Sequence, residues 1–147
     1  MNRQYLRYLV VSVVTVAASA VLVQSVILSL VTRNPESIAG AALVVGYLTA
    51  LTVSGTVAIL AARRVAGGFI DPRLGQIAGL MAGLWVGIGA IVGQILAALL
   101  LSVQAPGAAA RPGLVLVFGL VLLVISVIAG MLTGRETAQP PEAEEEA

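Results

Sequence analysis

The sequence predicts an all-α integral membrane protein of four transmembrane helices, antiparallel to their neighbours and packed through glycine and other small residues. Three observations carry that expectation. Of 147 residues, 59% are hydrophobic and only 10% are charged, with a mean hydropathy of +1.05, a balance foreign to water-soluble domains. Four apolar runs, at about residues 9–31, 36–62, 73–103 and 114–132, are long enough to cross a hydrocarbon layer. The third of them repeats glycine at every fourth position, at Gly75, Gly79, Gly83 and Gly87.

That third run organises the rest. In water, glycine inside a helix costs on the order of 1 kcal/mol relative to alanine. In a bilayer the backbone must hydrogen-bond to itself, and helices associate by close packing rather than by escape from water. At 100° per residue, Gly75, Gly79, Gly83, Gly87, Ala90, Gly93 and Ala97 share about one third of the circumference, whereas Leu84, Trp85, Ile88 and Val92 occupy the remainder. The glycine face is expected to meet the second span through Gly46, Ala50 and Ser54, because a short turn joins the two.

The first span begins after a basic stretch containing Arg3 and Arg7. Ala18-Ser19-Ala20 resembles a signal-peptide cleavage site, yet the apolar run continues through Leu22, Val26, Ile27 and Leu30, so the segment is expected to remain as an anchor. Asn34-Pro35-Glu36 reads as a helix start: a side-chain cap, a proline at the first helical position and an acid near the positive end of the dipole. The second span carries small residues at every fourth place, Gly46, Ala50, Ser54 and Ala58, and a separate stripe of Thr49, Thr52 and Thr56. Asp71-Pro72 repeats the cap-and-proline start for the third span. Pro106 and Pro112 break the chain before the fourth, which Gly134 is expected to end.

Residues 1–134 are thus read as one transmembrane domain. Residues 135–147, closing on Glu144, Glu145 and Glu146, are read as a disordered acidic cytoplasmic tail with nothing to bury. All eight basic residues are arginine. In a four-span arrangement Arg3, Arg7, Arg63, Arg64, Arg73 and Arg135 fall on one side and only Arg33 and Arg111 on the other, which places both termini in the cytoplasm of a cell with the protein in its plasma or inner membrane.

Composition also narrows the chemistry. A net charge of +1 offers no basic surface on the scale of nucleic acid. The chain has no cysteine and no histidine, so the usual thiolates, general bases and metal ligands are missing, and no cofactor is expected. The glycine repeat is similar to that of rotor-ring proteolipids, but that family depends on an acidic residue in a late span, where this chain carries none. Small multidrug transporters need a glutamate in the first span, where Gln24 is the strongly polar residue. Neither resemblance holds.

Gln24 and Gln94 are the polar groups expected deep in the bilayer, with interhelical hydrogen bonding as their ordinary role and contact with a pore or ligand as the competing one. Arg63, Arg64 and Arg73 are read as topology determinants, with anionic lipid headgroups as their alternative partners. The functional expectation is a non-catalytic four-helix protein of the lipid bilayer whose glycine faces dock helices, acting as a structural or accessory subunit beside other membrane subunits or as an assembly of copies of itself. The alternative is a small channel or uncoupled transporter lined by Gln, Ser and Thr.

Overall fold

The protein is represented by a computed structural model, which describes residues 3–30, 35–104 and 112–138. These form four helices: α1 (Arg3–Leu30), α2 (Pro35–Ala66), α3 (Pro72–Gln104) and α4 (Pro112–Thr137). All four are long and apolar enough to cross a membrane, and no strand occurs among the described residues. Asn34, the connection 105–111 and the tail from Gln139 onward lie outside the described residues.

Each helix extends beyond the apolar run that announced it, because the run marks hydrocarbon length while the helix continues into the polar interface. α2 passes through Arg63 and Arg64 before ending at Ala66, where Gly67 N donates to Arg63 O (3.1 Å) and Phe69 N to Ala66 O (3.0 Å). α3 begins on a side-chain cap. Arg73 N donates to Asp71 Oδ1 at 2.8 Å, Gly75 N donates to Asp71 O at 3.0 Å, and Pro72 occupies a position where no amide donor is needed.

Gly134 does not end α4, which continues to Thr137. No glycine among the described residues has the positive φ of a helix-terminating turn. Gly134 is helical because its missing side chain admits the Gly75 carbonyl and brings the Gly79 Cα close. The boundary of the tail moves accordingly: Arg135, Glu136 and Thr137 belong to α4, and Ala138 is buried.

α3 is the central element. Like α2, it packs against all three other helices, whereas the backbones of α1 and α4 do not come close among the described residues. Of its apolar segment 44% is buried, against 22% for α1 and for α4. Each of the other helices presents a buried row at four-residue spacing: Ser12, Val16, Ala20 and Gln24 on α1; Ala50, Ser54, Ala58 and Ala62 on α2; Leu122, Ser126, Gly130 and Gly134 on α4. Two clusters fill the space between them. Val16, Tyr47, Ala50, Ala90 and Leu122 meet in one; Ala58, Ala61, Ala82 and Val86 meet in the other, with Tyr5 and Tyr8 packed on it. Bulky residues such as Val14, Leu22, Leu48, Leu99 and Leu116 face outward.

The partner of the glycine face is α4, not α2 as the sequence led one to expect. A Cβ on Gly79 would run into the Gly130 carbonyl and stand 2.9 Å from Gly134 Cα; one on Gly83 would meet the Ser126 carbonyl and stand 3.0 Å from Val127 Cα. At Gly87 the obstacle is Leu123, and at Gly75 it is Gly134 and Ala138. The short α2–α3 connection makes those helices neighbours, yet it does not choose which face each turns to the other. Glycines on both sides allow the closest approach: α4 offers Gly130 and Gly134, whereas the row of α2 from Ala50 to Ala62 has none and Gly46 beside it faces Gln24 of α1.

The glycine row is also divided. Gly93 shares a helical bearing with Gly75, but 18 residues, about 27 Å, separate them, and a row of every-fourth residues drifts about 40° per step. By Gly87 the row has left that bearing. Gly89 and Gly93 face α1 instead, where a Cβ would stand 2.6 Å from Leu9 O and 2.8 Å from Val13 O respectively.

Gly79→Ala is expected to destabilise the bundle by about 1–3 kcal/mol through overpacking, although alanine gains up to about 1 kcal/mol of helix propensity. Gly55→Ala is the control, since a Cβ there meets nothing within 4 Å. Reversible unfolding in one fixed detergent measures both. Equal effects from the two variants would refute the close α3–α4 approach.

Candidate functional site

The polar side chains capable of chemistry fall into an interior set and an end set. In the interior, Ser12, Gln24, Ser54, Gln94 and Ser126 are buried, and Tyr47 is 7% exposed. Ser12 lies where α1 crosses α3 at Gly89, and its Oγ donates to Val86 O at 2.8 Å. Ser54 Oγ turns back to Leu51 O, and Thr49, Thr52 and Thr56 likewise donate to carbonyls one turn earlier on α2.

Gln24 and Gln94 depart from expectation. They are 1% and 3% exposed, but Gln24 Nε2 and Oε1 and Gln94 Oε1 have no hydrogen-bond partner, and neither do Tyr47 Oη and Ser126 Oγ. The expected interhelical bonds are therefore not formed by these atoms. Gly46, expected on the face toward α3, instead makes room for the Gln24 amide: a Cβ there would stand 2.8 Å from Gln24 Nε2. The neighbouring Tyr47 ring tilts against Phe118 of α4, with centroids 3.9 Å apart. An unpaired amide in an apolar interior costs roughly 1–3 kcal/mol, so the packing of Gln24 between α1 and α2 is locally unfavourable.

Arg63, Arg64 and Arg73 do not share one site. Arg64 shares a groove between α1 and α2 with Gln4, Arg7, Tyr8, Val11, Val57, Leu60 and Ala61, with a volume of about 370 Å³. Arg73 sits in a second cleft, of about 450 Å³, with Asp71, Pro72, Gln76 and Arg135. Arg63 lines neither, and its carbonyl closes the end of α2. Sequence reasoning assigned Arg7 and Arg135 to topology alone. Their place beside Arg64 and Arg73 follows from which helices adjoin, which an arginine's position in the chain does not reveal.

The remaining packing residues are placed as follows. Gly46, Ala50, Ser54 and Ala58 are buried on α2; Gly75, Gly79, Gly83 and Gly87 are buried against α4; Gly93 is buried against α1. Gly89 and Gly134 are contact residues that the sequence does not single out as such, whereas Gly130, which with Gly119 and Ser126 marks one side of the fourth span, meets Gly79 and Gly83. Among the described residues no group of three or more potential metal ligands comes together. No protein-family model matches the chain, and no curated protein or solved structure is found to be similar to it.

Gln24→Met removes two unpartnered polar atoms at similar volume, so it should leave stability unchanged or raise it, whereas Ser12→Ala should cost about 0.6 and at most about 1.7 kcal/mol. Unfolding of both variants in the same bilayer mimetic provides the comparison. A loss at Gln24 larger than that at Ser12 would mean that its amide is bonded within the membrane.

Proposed function

We propose that the protein is a non-catalytic multi-pass membrane component, its neighbouring helices antiparallel and joined by glycine and small-residue packing. It acts as a structural or accessory subunit associated with other membrane subunits or with copies of itself. The observation that supports this most is the filled axis of the bundle, where α1, α2, α3 and α4 together contribute Val16, Ala50, Ala90 and Leu122. A bundle closed in this way offers its surface, not an interior, to whatever it works with.

Both termini are assigned to the cytoplasm of a cell whose plasma or inner membrane holds the protein. The positive-inside tendency supports this, since Arg7 with Arg64 and Arg73 with Arg135 gather in clefts at helix ends. The second reading, a small channel or uncoupled transporter lined by Gln, Ser and Thr, draws on one observation of its own: the unpartnered polar atoms of Gln24, Tyr47, Gln94 and Ser126.

Gentle solubilisation followed by native mass spectrometry, with solute flux measured in liposomes, separates the two. Stable association with unlike subunits or with further copies, and no flux, is expected; a monomer that conducts solute would overturn the proposal. Cysteines placed at Glu36 and Ala109 should react with an impermeant reagent added from outside the cell. Labelling of both from the cytoplasmic side alone would reverse the orientation.

A further inference from the structure

The groove between α1 and α2 combines two features that one class of ligand satisfies together. Arg7 and Arg64, both exposed, line it together with Gln4 and Tyr8, and Val11, Val57, Leu60 and Ala61 supply the apolar part of its lining. No acidic side chain lines it, and neither arginine forms an ion pair among the described residues. Val11 and Leu60 are 48% and 55% exposed, and the apolar surface continues along α1 through Val10 and Val14. The groove therefore opens sideways, onto the surface that faces acyl chains.

The second arginine cleft lacks this combination. Asp71 lies within it beside Arg73 and Arg135 and offsets part of their charge, and Gln76 and Pro72 supply the rest of its lining. A guanidinium binds phosphate oxygens through paired N–H donors, while apolar walls are satisfied by hydrocarbon. We propose that the α1–α2 groove seats one anionic glycerophospholipid, its phosphate between Arg7 and Arg64 and an acyl chain along Val11, Val57 and Leu60. The inference rests on the membrane-spanning reading of the helices and is independent of whether the bundle joins other subunits.

The test uses full-length protein, delipidated in a neutral detergent, with native mass spectrometry and thermal melting after addition of phosphatidylglycerol, phosphatidylcholine or inorganic phosphate. Retained phosphatidylglycerol adducts and a raised melting temperature are expected, exceeding those with phosphatidylcholine, and inorganic phosphate should not reproduce the effect. In the Arg7→Gln/Arg64→Gln double variant, apparent affinity for phosphatidylglycerol should fall on the order of tenfold or more. In Arg73→Gln/Arg135→Gln it should be retained.

Two further variants guard against misfolding and reversed insertion. Arg7→Lys/Arg64→Lys keeps the charge but not the paired donors and should weaken binding less than the glutamine pair. Val11→Trp fills the groove, leaves both arginines in place and should displace the lipid. Equal binding of the two lipids, equal loss from both arginine pairs, or full replacement by inorganic phosphate would overturn the proposal. So would strong lipid binding that appears only when residues 139–147 are removed, because the acidic tail would then be the occupant.

Discussion

The approach of two backbones, α3 to α4, is the constraint on which the remaining packing depends. Where Gly75, Gly79 and Gly83 face Gly134, Gly130 and Ser126, carbonyls of each helix stand over glycines of the other with no side chain between. Glycine Cα–H groups opposite carbonyls in this reciprocal manner make weak contacts, of about 0.5–1 kcal/mol each. In hydrocarbon, apolar burial gives no net advantage over lipid, so such contacts and the dispersion of close packing have to supply the association. With this pair joined, α3 has its other faces left for α1 and α2, which is why it is the most buried of the four helices.

A consequence of the drifting row is that two partners can use glycines from one helix without meeting each other. α4 follows Gly75 to Gly87, whereas α1 takes Gly89 and Gly93. Gly87 and Gly89 are two residues and about 200° apart, so at that level the two partners stand on opposite sides of α3. This accounts for the backbones of α1 and α4 not coming close among the described residues. It also means that the glycines of the α3–α4 and α3–α1 seams are used inside the protein, which leaves outward the Leu, Val and Ile surface and the Thr52–Thr56 side of α2, where Gly55 is open.

Helix number, the Asp71 cap and the burial of the small-residue rows were all legible in the sequence, because each depends on local composition or on periodicity. Partner choice was not. It depends on which pairs of rows come closest in space, and a row on α2 with Gly46, Ala50 and Ser54 looks much like a row on α4 with Ser126, Gly130 and Gly134. Gly134 was misread for a related reason. At the end of an apolar run a glycine signals a stop, and only the facing Gly75 carbonyl shows that it is a contact. The arginine clefts were hidden likewise, since each draws one residue from the beginning of a helix and one from the end of another.

Gln24 separates the roles of surface and interior. It lies on the buried row of α1, and Gly46 opposite gives its amide space without giving it a partner. A second copy docking on the lipid-facing side would not relieve this cost, because the residue is 1% exposed. Relief requires a polar atom within the bundle itself, supplied by water or by a solute that enters between α1 and α2. Packing fills the space where Val16, Ala50, Ala90 and Leu122 meet, whereas the Gln24 amide is left without a partner. If Gln24 proves bonded in the membrane, weight moves from the scaffold toward a polar path, with Tyr47, Gln94 and Ser126 as the other orphaned groups it would satisfy.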